Sequence, residues 1–405
     1  MEALRTLRIP AFRRLAGAYA INRFGDMLGL IALAGVVYAK TGSAAATTAL
    51  FIAMEFLPSL VAPVVAVRLD RIPVAPTLAA VFGVEATCFG VLAILTHHFG
   101  LATFLTIVAV DGVLAIVGRA ICRGAAAQVL EPSGRLREGN ALLNVAVAPS
   151  TAVGAFAGGA LVATVGPDVG LAADAATFAI AAVICATTRG LPRYEEEQEE
   201  APWRDRLRDG LAYLRGRPYV MTLIVAGALA QVFFSLSMPI EVAYARDTLG
   251  AGNGGYGALF GAWGVGMVLG SVGYTPLARN YLVAATAGST IVQGLSYGGL
   301  GLAPDIYVAC AVAVIGGAAN GVQWVALTTM IQEATQTAYQ VRVMAVFESL
   351  TTASPGIGFL LGGAITVLLS PRVAFGVAAA GTLLVVAGVA VSRPWRAGRA
   401  VQAVT

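Results

Sequence analysis

Arg23 and Asp26 stand three residues apart inside an otherwise apolar stretch, a spacing that puts base and acid on neighbouring positions of one helical face. Glu55, Asp111 and Glu85 interrupt other apolar stretches in the same way. A charge at the middle of a bilayer costs roughly 2.5 to 3.5 kcal/mol, so unpaired examples are rare unless they face a cavity. Burial and a nearby cation act on such a carboxyl in opposite senses, which lets it be tuned to take up and release a proton. Two readings of Asp26 stay open: a coupling or substrate residue, or half of a structural pair with Arg23. Glu55 and Asp111 are the next candidates for coupling or substrate contact. Glu85 has a local hydrogen-bonded or interface role as its alternative, while Glu241, near the outer mouth, and Glu348, near an inner helix end, can be simply solvated.

Other chemistry is poorly served. Cys88, Cys122, Cys185 and Cys310 lie singly in apolar surroundings, and His97 and His98 are adjacent, so they point in different directions on a helix. No metal spacing results, and no cofactor is expected. Lys40 is the only lysine, which excludes a phosphate-binding loop with its required Lys. No Ser nucleophile has a credible His partner, so an enzyme is not expected.

The elements that must hold these residues are membrane spans. Of the 405 residues, 58% are in the hydrophobic set and only 12% are charged, where a soluble domain has roughly a quarter charged. Apolar stretches of the length needed to cross about 30 Å of hydrocarbon recur throughout. They fall near 15 to 38, 45 to 67, 74 to 96, 101 to 123, 141 to 165, 170 to 188, 219 to 244, 254 to 277, 282 to 302, 306 to 331, 344 to 369 and 373 to 392. The fold class expected is therefore an all-α membrane protein of twelve transmembrane helices. With both termini cytoplasmic, every one of the 26 basic residues falls on the inner side except Lys40, Arg246, Arg372 and the in-span Arg23. That distribution explains the formal charge of +4 by inward loops meeting an anionic leaflet, and nucleic-acid binding is not expected. The basic start and its apolar continuation outrun the core of a secretory signal and contain Arg23 and Asp26, so they read as a retained first span.

The long hydrophilic stretch Arg189 to Pro218 divides the spans into two sets of six, giving an N-terminal bundle 1–188, a cytoplasmic linker 189–218 and a C-terminal bundle 219–405. The linker holds the acidic run Glu195 to Glu200, then Trp203, Leu207, Leu211 and Leu214 at the spacing of an amphipathic helix lying on the inner surface. The halves echo each other. Gly154, Gly158 and Gly159 recur at one constant offset as Gly358, Gly362 and Gly363, and Arg189 recurs as Arg393. Small residues at this spacing let helix backbones approach closely in lipid, so two similar bundles with corresponding tight contacts are expected, with a substrate path between them.

These residues resemble the major facilitator superfamily, and within it the drug:proton antiporter branch that includes macrolide efflux proteins and the enterobactin exporter. The likeness is carried by Phe12 to Leu15 and Gly25-Asp26 in the first span, Leu57-Pro58 in the second, and Leu69-Asp70-Arg71 in the following loop. Asn140-Ala141-Leu142 and Gly154-Ala155-Phe156-Ala157-Gly158-Gly159 carry it through span five. In the second half it rests on Pro239, the stretch Arg246 to Gly250, Tyr256-Gly257, the glycines Gly264, Gly266 and Gly270, then Asn320, Thr328, Gln332 and Arg342-Val343. The loop signature departs at Ala66 and Ile72-Pro73-Val74-Ala75, and span five has Ala155 where the exporter signature has Pro. The resemblance implies that spans one, two, four and five and their counterparts line a central cavity, which Glu55 and Asp111 could face, and that Glu85 belongs to a peripheral helix.

Asn22, Gln231, Trp263, Asn320, Gln323 and Trp324 are the cavity candidates, offering hydrogen bonds and aromatic faces suited to an amphipathic compound. Asp70, Arg71, Arg119, Arg123 and Arg342 gather at the expected inner surface, where charge pairs between helices could close an inner gate; ordinary positive-inside topology is the other explanation. The function expected is proton-coupled efflux of a small amphipathic compound by alternating access, in the cytoplasmic membrane, by a chain working as a monomer. Its partners are the small-molecule substrate, protons and the lipid bilayer. Import or facilitated passage of a metabolite on the same fold is the alternative, with a membrane enzyme or receptor behind it.

Overall fold

The computed structural model describes residues 5–69, 73–191, 211–277, 281–336 and 339–392. Its long elements are helices: α1 (Pro10–Thr41), α2 (Ala44–Phe51), α3 (Leu57–Leu69), α4 (Val74–Leu95), α5 (Leu101–Leu130), α6 (Leu136–Thr164) and α7 (Pro167–Ala186). After 192–210 follow α8 (Pro218–Ala243), α9 (Gly252–Leu277), α10 (Leu282–Leu302), α11 (Ile306–Glu333), α12 (Gln340–Leu368) and α13 (Pro371–Val391). A π-helical segment, Ile52–Phe56, joins α2 to α3.

Local chemistry sets the ends. Proline stands in the first turn of α1, α7, α8 and α13, where its missing N–H costs no intrahelical bond. Ser43, Asp305 and Ser370 cap α2, α11 and α13 by accepting from backbone N–H groups three residues on. Gly42 closes α1 at φ +59°, a left-handed cap in which its N–H bonds the Tyr38 carbonyl.

Among the described residues ten helices are long and apolar enough to cross a membrane. The α2 to α3 run, interrupted by its π segment, counts as one of them. Two of the expected spans fall outside that set. In α6, which runs from Leu136 to Thr164, the apolar stretch among the described residues is Ala152–Thr164, and α10 carries Thr286, Ser289, Thr290, Gln293 and Ser296 along its length. Helices satisfy their own backbone groups in lipid, and the exposed side chains Ile94, Val183, Leu269, Leu302 and Leu384 are the apolar surface such an environment requires.

The chain forms two compact units. The first comprises Met1–Glu196 with Ala245–Gly264, the second Glu197–Tyr244 with Val265–Thr405. In the first, α1 is central and packs on α6, α7 and α5, while α4 packs on α7 and α5. Its core holds Phe12, Leu15, Ile31, Phe51, Phe104 and Phe178, all essentially fully buried. In the second, α8 packs on α12 and α13, and α10 packs on α11 and α13. Leu223, Ile224, Leu327, Met330, Val343 and Phe347 form its core. The pattern of partners in one unit thus repeats in the other.

Glycines allow the closest of these contacts. A Cβ at Gly158 would lie 3.0 Å from the Leu28 backbone, and one at Gly154 would strike the Phe24 carbonyl, so α6 and α1 meet backbone to backbone. In the second unit a Cβ at Gly358 or Gly362 would strike the carbonyls of Val232 and Leu236 in α8. Gly159 lies against Gly257 of α9, and Gly363 is buried. Such contacts substitute dispersion and weak Cα–H bonding for the hydrophobic force that lipid does not supply.

Candidate functional site

The acidic residues of the first unit converge around α1. Asp26 sits one turn past Asn22 on α1, and its Oδ2 accepts from Arg23 Nη1 at 2.8 Å on the same helix. Arg119 of α5 approaches the same oxygen at 3.6 Å, and the buried Asn22 donates to Oδ1 at 3.3 Å. Asp26 is therefore held between two guanidiniums and an amide, with 12% of its side chain still exposed. Arg119, grouped by sequence with the inner-surface arginines, is brought to this acid by α5 packing on α1.

Glu55 lies in the π-helical segment, where the widened turn displaces side chains from ordinary helical register, a geometry that recurs at functional sites. Arg119 and Arg23 are the cations that act on it electrostatically. One helix away, Asp111 is 6% exposed and its Oδ1 has no hydrogen-bond partner among the described residues. Its neighbour Gly112 allows α5 to approach Pro58 and the Met54 carbonyl. Glu85 of α4 is fully buried with neither carboxyl oxygen partnered among the described residues, and it interacts electrostatically with Asp111, Asp26 and Asp174.

Asp174 of α7 was not among the sequence candidates. It is fully buried; Oδ1 accepts from Thr177 Oγ1 at 3.1 Å and Oδ2 has no partner among the described residues. Its carboxyl occupies the space that side chains at Gly25 and Gly29 of α1 would need, with Phe89 closing the other side of Gly29. The signal was present in the sequence: a lone acid inside the sixth apolar stretch, and two glycines four apart in the first.

The remaining candidates are distributed as follows. Arg123 donates to the Tyr19 hydroxyl at 3.2 Å and lies 5.8 Å over its ring. Asp70 and Arg71 lie outside the described residues, as do the side chain of Arg342 and the linker from 192 to 210 that carries most of the expected amphipathic helix. Glu241, expected near the outer mouth, is buried in the second unit and accepts from Ser237 Oγ at 3.2 Å, while Glu348 is exposed. Near the far end of α1 the Tyr38 hydroxyl donates to Asp247, and Arg246 lies 6.0 Å over the Tyr38 ring.

The second unit groups amides. Gln323 of α11 donates to Thr290 Oγ1 of α10 at 2.9 Å, Gln293 donates to the Tyr297 hydroxyl at 3.1 Å, and Gln231 of α8 approaches Ser235 Oγ at 3.4 Å. Gln231, Gln293, Asn320, Gln323 and Trp324 line one small void. Trp263, expected with them, belongs to the first unit. Among the described residues no group of three His, Cys, Asp or Glu side chains is arranged to hold a metal ion.

Solved structures share this fold. The nucleoside transporter NupG superposes with a TM-score of 0.71 at 11% identity, covering 93% of this chain and 98% of its own. A bacterial homologue of the iron transporter ferroportin, in an inward-facing state, gives 0.71 at 16% identity over 94% and 97%. The POT family transporter PepTSo gives 0.72 at 9% identity over 93% and 96%. At these identities the likeness establishes the fold alone. No curated protein sequence matches the chain. The sequence does match, over residues 1–401, the family described as transmembrane secretion effector. The chain belongs to that family, and with its apolar helices and its fold it is a multi-pass membrane transporter of the major facilitator type.

Proposed function

We propose that the protein exports a small amphipathic compound across the cytoplasmic membrane in exchange for protons, by alternating access, as a member of the drug:proton antiporter branch. In this reading the chain crosses the bilayer twelve times with both termini inside. Residues 1–188 and 219–405 are the two moving bundles, 189–218 is their cytoplasmic linker, and one chain suffices for transport. The family's description as a secretion effector supports the outward direction.

The observation that carries the coupling is a count of charge. Asp26, Glu55, Glu85, Asp111 and Asp174 share the interior of the first unit with two guanidiniums, Arg23 and Arg119. Full ionisation would leave acids without counter-charge in a medium where each unpaired charge costs roughly 2.5 to 3.5 kcal/mol. Protons are the counter-charge that such an arrangement takes up and gives back. Asp26 is the principal exchanging acid, because its carboxyl keeps 12% exposure while two guanidiniums reach it to compensate a departing proton, and Glu55 and Asp111 are the acids that exchange with it.

Efflux from proteoliposomes, driven by an imposed pH gradient, tests this. The wild-type chain should expel substrate faster with the gradient than without it, and Asp26→Asn should lose that difference. Efflux indifferent to the gradient would refute proton coupling, and net uptake with the gradient in the same sense would make the protein an importer.

A further inference from the structure

The second unit contains a cavity of about 180 Å³ between α8, α10, α11 and α13. Its wall is apolar, with Leu223, Ala230, Leu327 and Val389 among the lining side chains, and its polar groups are Thr286, Thr290 and Gln323. A second void of about 10 Å³, lined by Gln231, Gln293, Asn320 and Trp324, shares Gly227, Ala230, Gln323 and Leu327 with the first. The smaller void is the size of one hydroxyl or one water.

Gln293 is only 2% exposed and its amide nitrogen is committed to Tyr297. Its Oε1 is buried without a hydrogen-bond partner among the described residues, and Gln293 is one of the residues that line the small void. An unpaired buried acceptor costs about 1–3 kcal/mol, which a donor placed in that void would recover. None of the residues lining either void is charged. A charged ligand would therefore leave water with no counter-ion, whereas a neutral one with an apolar body and a single O–H or N–H donor satisfies both chambers.

We propose that this double chamber is a binding site for an uncharged compound consisting of a short alkyl or aryl body and one hydroxyl or N–H donor, the body lying between α8, α10, α11 and α13 and the donor bonding Gln293 Oε1. As the substrate class of the transporter, the site rests on the export reading; as a binding site, it is measured without transport.

The test is equilibrium binding of radiolabelled para-pentylphenol and pentylbenzene to the full chain in phospholipid nanodiscs, with empty nanodiscs subtracted. Para-pentylphenol should bind saturably, one per chain, and more tightly than pentylbenzene. Ala287→Phe, which fills the large void, should abolish the binding of both. Gln293→Leu should weaken para-pentylphenol roughly tenfold and leave pentylbenzene unchanged. Gln293→Met serves if the leucine variant fails to fold, judged by thermal melting. Equal affinity for the two probes, or an Ala287→Phe variant that still binds, would overturn the site. Binding seen in detergent but absent in nanodiscs would overturn it too, because a lipid chain would then be the occupant. Saturable binding with no para-pentylphenol efflux would uphold the binding site and overturn its assignment as the transporter's substrate site, while the export reading itself stands or falls on the gradient-driven efflux above.

Discussion

The first unit holds carboxyls and guanidiniums around α1, Asp26 with Arg23 and Arg119 and, deeper, Glu85, Asp111 and Asp174, whereas the second buries mainly amides and hydroxyls, Gln323 on Thr290 and Gln293 on Tyr297, with Glu241 as its one buried acid among the described residues. Both units use the same helix pairings and the same glycine contacts, so the scaffold does not account for the contrast. Polar groups in a low-dielectric interior must be paired or neutral, and the units meet that demand differently. Carboxyls that exceed their cations respond to protons. Amides do not titrate, and respond instead to the shape and donor pattern of a ligand. On the proposed export reading, one scaffold repeated in both units would in this way divide energy coupling from recognition.

The scaffold half of that comparison is tested by the largest expected effect. Gly158→Leu in the first unit and Gly362→Leu in the second each set a side chain against an α-helical backbone that cannot yield. Each should cost more than about 3 kcal/mol and abolish recovery of folded protein in size-exclusion chromatography. If one unit tolerates its leucine, the two scaffolds are not equivalent.

Gly29→Ala comes next, because its methyl would collide with the Asp174 carboxyl and lie 2.6 Å from Phe89. A loss of about 1–3 kcal/mol in thermal unfolding is expected, and Asp174→Ala in the same chain should restore part of it. Additive losses would mean that the carboxyl is not what fills the space beside α1.

The division of labour itself is sharpened by pairing Asp111→Asn with Gln323→Leu. The first removes a titrating group while keeping its shape, and should change the number of protons exchanged per substrate with stability altered by less than about 1.5 kcal/mol. The second should weaken substrate binding and leave proton stoichiometry alone. Proton flux and substrate flux recorded together in proteoliposomes decide it, and a stoichiometry that moves with Gln323→Leu would dissolve the comparison.

The smallest effect compares two tyrosines. Tyr244 in the second unit is fully buried and donates to the Leu300 carbonyl, whereas Tyr38 in the first donates to the exposed Asp247. Tyr244→Phe should cost about 1 kcal/mol and Tyr38→Phe less, because Asp247 regains water. Denaturant titration of the purified variants measures both.

Much of the site was legible in the residues. Arg23 and Asp26 at a three-residue spacing lie on one helical face, so helix geometry alone is enough to pair them. Arg119 was legible as an arginine near the inner surface but not as a partner of Asp26, because that contact joins residues far apart in sequence through the packing of α5 on α1. Glu85 was placed by resemblance on a peripheral helix, but its complete burial where α4 packs on α7 and α5 could not be read from that placement. Asp174 was missed because its role depends on the glycines opposite, which seat it only once α1 and α7 are in contact. Trp263 fell into the unit other than the one its sequence company suggested, since the chain contributes Ala245–Gly264 to the first.

What the sequence by itself determined is what depends on period and partition: an all-helical chain, apolar stretches of membrane length, acids stranded among them, and glycines repeated in both halves. Burial in lipid allows few backbone solutions, so hydropathy alone selects the helix. What only the tertiary structure decided is which of those stranded groups meet. Contacts between helices are set by complementary surfaces distant in sequence, and a residue's periodicity names the face it occupies without naming the helix that face will find. Asp174 beneath Gly25 and Gly29, Arg119 beside Asp26, and Gln293 at the edge of a cavity with its Oε1 unpartnered among the described residues belong to that second kind of information.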